Sequence, residues 1–162
     1  MALYGTNRDI SLMRHISKEL VDRMIGQQVG YYKLSLSETV TDLYGDSKKK
    51  MYNNPIMITC LIDRNPQVNE KNDSGTTTVR TIDFRFLRDD LMDISLVPEK
   101  GDIIMWEENY YEVENVVNNQ YVVGKDPDYS LKSDLEKFGR SWSIICNCYL
   151  TNVNKLNIIK SR

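Results

Sequence analysis

A reaction centre needs a nucleophile with a base, a carboxylate pair, or a cluster of metal ligands. The sequence offers little of each. His15 is its only histidine, which rules out a multi-histidine metal site. It lies beside Arg14 on a predicted helix and reads as a surface or interface residue. Cys146 and Cys148 sit two apart in a predicted strand, so both face the same way and could form half of a soft-metal site, with Cys60 as a third ligand. A fourth ligand is wanting, and three buried thiols are the expectation. Glu112 and Glu114 also share a strand face, at the spacing of a glycosidase pair, but a solvated strand face produces the same pattern. Asp89-Asp90 and Glu107-Glu108 complete the acidic candidates, the latter as the polar tip of a hairpin. The eight glycines are scattered singly, so no loop is built to cradle phosphate. No catalytic residue, cofactor or metal is expected, and the chain is not expected to be an enzyme.

The residues suited to binding are of other types. Lys48, Lys49 and Lys50 form the one basic run, a solvated loop tip or a contact for an acidic partner or the DNA backbone. Repeated around a ring, three such charges would be multiplied by symmetry. Ten tyrosines and two tryptophans include the pairs Tyr31-Tyr32 and Tyr110-Tyr111; neighbouring positions on a strand face opposite ways, so one ring can enter the core while the other meets a neighbour. Tyr44, Tyr52, Trp106 and Tyr110 are the candidate subunit-interface residues. The net charge of −2 argues against a protein held on nucleic acid chiefly by counterion release. A single-strand binding module on a small barrel would need a basic groove that this balance does not announce.

These residues need a scaffold, and 162 residues with 41% hydrophobic and 27% charged side chains suit a single folded domain over 1–162. Thr6 and Asp9 read as a helix-start box, Ile10, Met13, Ile16, Leu20 and Met24 recur at helical spacing, and Gly26 is a stop. This predicts one amphipathic helix over 7–25 with Arg14, Lys18, Asp22 and Arg23 on its polar face. Over 28–162 the period becomes two. Val29 to Leu36, Ile56 to Ile62, Ile82 to Phe86, Ile103 to Trp106, Tyr110 to Val117, Gln120 to Val123 and Trp142 to Thr151 predict strands, the second of them central in its sheet. Pro98 to Asp102 predicts a turn in which Asp102 accepts local backbone hydrogen bonds. Two polar stretches, 43–54 and 65–78, predict long loops of the kind that carry binding function. The fold class is mainly β, a small antiparallel barrel or sandwich with the barrel favoured. The odd cysteine count argues against a disulfide scaffold and fits assembly in a cytoplasm, and neither a targeting segment nor a membrane span is expected.

Several segments, taken in order, resemble the neck proteins of T4-like contractile-tailed phages. They are Leu43-Tyr44-Gly45-Asp46-Ser47 with Lys50, Met51, Tyr52 and Asn54-Pro55; Phe86 to Leu91; Pro98 to Trp106 with Tyr110 to Val113; Phe138-Gly139 before Ser141 to Cys146; and Leu150-Thr151. The resemblance runs over roughly 43–158. It implies a hexameric ring in the virion neck, below the portal and its adaptor and above the tail terminator or tail tube, acting as a stopper around packaged double-stranded DNA. On that expectation Asn69, Lys71, Asp73 and Gly75 are candidate channel or plug residues, and Lys48 to Lys50 candidate partner or DNA contacts. A tail-terminator or adaptor ring at the same junction is the alternative, and a tail enzyme cleaving carbohydrate through Glu112 and Glu114 a more distant one.

Overall fold

The structure is a computed structural model that describes residues 7–35, 40–41, 47–65, 68–72, 75–118, 143–151 and 156. The expected helix is α1 (Asn7–Glu19), continued by one π-helical stretch (Leu20–Ile25) and stopped where Gly26 turns left-handed at φ 58°. Seven strands then form one antiparallel sheet: β1 (Gln28–Tyr32), β4 (Ile56–Thr59), β5 (Leu61–Arg64), β8 (Thr81–Leu87), β9 (Ile103–Trp106), β10 (Asn109–Val117) and β11 (Ser143–Leu150). Their order is β4-β1-β9-β10-β11-β8-β5. A short helix, α2 (Arg88–Asp93), follows β8.

The two end strands of this sheet, β4 and β5, are consecutive in the chain and separated by Cys60 alone. One bent segment therefore pairs with β1 through its first half and with β8 through its second, and the sheet curls barrel-like upon it. This corrects the expectation of a single central strand over Ile56 to Ile62. Apolar residues on both faces look central in a sequence, whereas here the bend at buried Cys60 sends the halves to opposite ends of the sheet and leaves Met57 58% exposed.

The core follows the period-two pattern. Phe84 and Phe86 from β8, Ile144, Cys146 and Cys148 from β11, Tyr111 and Val113 from β10, Ile104 and Trp106 from β9, and Val29 and Tyr31 from β1 enclose one apolar interior. On the outer side Tyr32, Ile103 and Tyr110 form a second cluster, covered by Tyr52, Met105 and Leu156. The β9–β10 hairpin closes with Glu107 and Glu108 at φ 46° and 62°, two left-handed positions that usually hold Asn-Gly.

The stretches expected as long loops are in part paired ribbons: β2 (Val40–Thr41) with β3 (Ser47–Lys49), and β6 (Val68–Asn72) with β7 (Gly75–Val79). Backbone groups need partners even in polar sequence, and Val68 and Thr76 to Val79 are β-branched throughout. The predicted strand Gln120 to Val123 lies outside the described residues.

Candidate functional site

Helix α1 is attached by its polar face. Arg14 and Lys18, four residues apart and so on one side of the helix, meet the acidic α2: Lys18 Nζ lies 2.9 Å from Asp90 and 3.2 Å from Asp93, and Arg14 Nε lies 3.8 Å from Asp89. The hydrogen bond to Asp90 holds the Lys18 ammonium above the ordinary lysine range. Burial pushes the Asp90 carboxyl up, and Lys18 opposes that rise. Of the described apolar residues in the helix only Val21 is buried.

The apolar face consequently points outward. Leu12, Met13, Ile16, Leu20, Met24 and Ile25 are between 45% and 81% exposed. An amphipathic surface helix ordinarily turns its apolar stripe to the core and its charges to water. Here the charges hold the helix to the body and the stripe faces solvent, a strong mark of an interaction surface. The sequence pattern established the stripe but not its direction; the signal that could have given it is the match between Arg14/Lys18 and the Asp89-Asp90-x-x-Asp93 run of α2.

Other candidates are placed as follows. Lys50 Nζ lies 2.6 Å from Glu112, so this lysine is engaged by an ion pair within the chain. Glu112 is also hydrogen-bonded by Tyr149, whose hydroxyl is raised to about 12, by burial first and by Glu112 next. Glu112 is bound to Lys50, and Glu114 is exposed. Lys48 and Lys49 lie in β3 and Asn69, Lys71 and Gly75 in the β6–β7 ribbon, where Lys71 pairs with Thr76 and Asn72 with Gly75; only their backbones are described. Asp73 and Tyr44 lie outside the described residues.

Trp106 and Tyr110, expected at a subunit interface, are 7% and 5% exposed within this chain. Their rings are already covered, Tyr110 against Tyr32, and Trp106 against Tyr111 with the Arg64 guanidinium 4.4 Å from its ring centre. Tyr52 is half-buried beside them and donates a 3.4 Å hydrogen bond to Gly101 O. Aromatic pairing in a small barrel is satisfied internally before any neighbour arrives.

The three cysteines are free and buried. Burial pushes the Cys60 thiol up to about 12 and Cys146 and Cys148 further, so each is held as an unreactive thiol. Among the described residues no group of three or more His, Cys, Asp or Glu could hold a metal ion. His15 is exposed on a shallow groove with Lys18, Glu19, Asp22 and Arg23, in which Arg23 is paired with Glu19. Among the described residues no helix is long and apolar enough to cross a membrane.

No protein-family profile matches the sequence, and no curated protein matches it either. Among solved structures, the fold is similar to a chain of the "Virion of native gene transfer agent (GTA) particle", with 8% identity, a TM-score of 0.43, and coverage of 76% of this chain and 90% of that one. That chain belongs to a virion. The likeness concerns backbone shape and transfers no residue role.

Proposed function

We propose that this chain is a structural protein of a phage virion, a ring-forming subunit of the neck that joins the DNA-filled head to the tail and performs no catalysis. The observation that carries the reading is the outward apolar stripe of α1 on a curled antiparallel sheet. A surface of that kind serves contact with other protein, and the residues most able to do chemistry are taken up by internal pairs: Glu112 by Lys50, the thiols by the core. The ordered resemblance of its segments to neck proteins of contractile-tailed phages supplies the position. On this reading the subunits form a hexameric ring between the portal and adaptor above and the tail terminator or tail tube below. The segment 65–78, with Asn69, Lys71, Asp73 and Gly75 as its candidate plug residues, narrows the DNA channel as a stopper, and Lys48 and Lys49 of β3 serve an acidic partner or passing DNA without sequence preference.

The test is to locate the chain in assembled virions by electron cryomicroscopy and to delete 69–76. The neck reading expects density at the head-to-tail junction and, for the deletion, folded rings on heads that lose their DNA. Density elsewhere in the particle removes the neck assignment, and full DNA retention removes the plug.

A further inference from the structure

Helix α1 is anchored at one end. Val21, the buried apolar residue of the helix, lies at its C-terminal end in the π-helical stretch Leu20–Ile25, which Gly26 closes by donating its N–H to Val21 O at 2.9 Å. From there the helix reaches about 20 Å back to Asn7 at ~1.5 Å per residue. Over that reach Leu12, Met13 and Ile16 are exposed, and Arg14 and Lys18 tie the helix to Asp89, Asp90 and Asp93 of α2.

This attachment works against itself. Arg14 Nη2 and Asp90 Oδ2 are buried with no hydrogen-bond partner among the described residues. A buried polar group in that position has given up its hydration for nothing in return. Asp22, on the helix itself, opposes the Lys18–Asp90 pair with its like charge. Asp89 and Asp93 are open to solvent, where an ion pair shifts an equilibrium by about fivefold at most.

We propose that α1 is a latched arm, released from α2 about the pivot Leu20–Gly26 as ionic strength rises, so that the ion pairs of Arg14 and Lys18 control how the apolar stripe is presented. The inference rests on the reading of that stripe as a contact surface and names its regulation. Release returns Arg14 Nη2 and Asp90 Oδ2 to water and gives up ion pairs that salt weakens, while Val21 stays in place. Two states so close in free energy are both populated. The pivot is built in: a π-helical stretch departs from the regular i to i+4 ladder, and a left-handed glycine follows it.

Pulsed electron spin resonance on the full-length chain tests this. Spin labels are attached to Leu12→Cys with Lys100→Cys, and to Gln28→Cys with Lys100→Cys as the pair beyond the pivot, each diluted into unlabelled chain. The native thiols are buried and stay unlabelled. The expected result is one narrow 12–100 distance at low salt. In 1 M salt, where screening falls to ~3 Å, the population at other distances should grow severalfold while the 28–100 distance stays put. Lys18→Glu should give the released distribution at low salt, and Asp90→Lys added to it should restore the narrow one. A 12–100 distribution that 1 M salt leaves unchanged overturns the proposal without any variant at the latch. A 28–100 distance that shifts with it also overturns it, because the body itself is then loosening. Release by Lys18→Glu that Asp90→Lys leaves unrestored removes the latch from this pair. The two readings fail separately: an arm that releases in a chain absent from the virion neck keeps the latch and removes the neck function, and a chain seen at the neck with a fixed arm does the reverse.

Discussion

Tyr31 donates a 2.6 Å hydrogen bond from its phenol to Oδ2 of Asp102, and both groups are fully buried. Asp102 also accepts from Lys33 Nζ at 3.1 Å and from the backbone N–H of Glu99 and Leu34 at 2.8 and 2.9 Å, so four donors converge on one carboxylate. It ties the start of the β9–β10 hairpin to β1. Removing one member of a buried charged network leaves the others unpaired. Asp102→Ala should therefore cost about 3–5 kcal/mol and Tyr31→Phe about 1–3 kcal/mol in urea unfolding. Equal, small effects would show that the donors find other acceptors.

Glu107 and Glu108 hold left-handed backbone at a turn where glycine and asparagine pay no steric penalty. Glu107→Asn with Glu108→Gly should stabilise the chain by about 1–2 kcal/mol, or roughly 2–6 °C in Tm. The exposed Arg64–Glu107 ion pair lost with it is worth little. An unchanged or lower Tm in a thermal scan contradicts the assignment of strain to this turn.

Burial raises Cys60 from an ordinary value near 9.0 to about 12, and Cys146, Cys148 and Tyr31 are raised in the same sense by the same cause. A group whose folded value lies above its unfolded one contributes stability that is complete below the unfolded value and disappears as pH rises toward the folded one. The urea midpoint should be flat from pH 7 to about 8.5 and fall between about 9 and 12, Cys60 alone accounting for on the order of 4 kcal/mol at ~1.4 kcal/mol per unit. A thiol reagent at pH 8 should label none of the three cysteines until urea is added. Labelling of the native chain would place a thiol at the surface.

Lys18 joins α1 to α2 through a part-buried contact with Asp90 and an exposed one with Asp93. Its side chain is 45% exposed, so Lys18→Ala should cost at most about 1 kcal/mol globally. Local release should be larger. Hydrogen exchange in dilute protein should show amides of 12–25 exchanging severalfold faster in Lys18→Ala, or in 1 M salt where screening falls to ~3 Å, while β8 stays protected. Uniform protection in both conditions would mean that apolar contacts, and not these ion pairs, hold the helix.

What could be read from the residues alone was whatever depends on neighbours in the chain. The helix over 7–25 with its stop at Gly26, the alternation that buries Ile82, Phe84 and Phe86, and the hairpin at Glu107-Glu108 all stand where local spacing put them, because backbone conformation and side-chain period are set within a few residues. The placement of the cysteines in the core was equally legible. What depended on elements far apart in the chain was not. Only the tertiary fold made one segment supply both end strands at Cys60, brought Glu112 against Lys50, and buried Trp106 in the interior and Tyr110 in the cluster on the sheet's outer side. The same holds for α1: periodicity says that a helix has an apolar face, but the acidic residues of α2, more than 70 positions away, decide that this face turns outward.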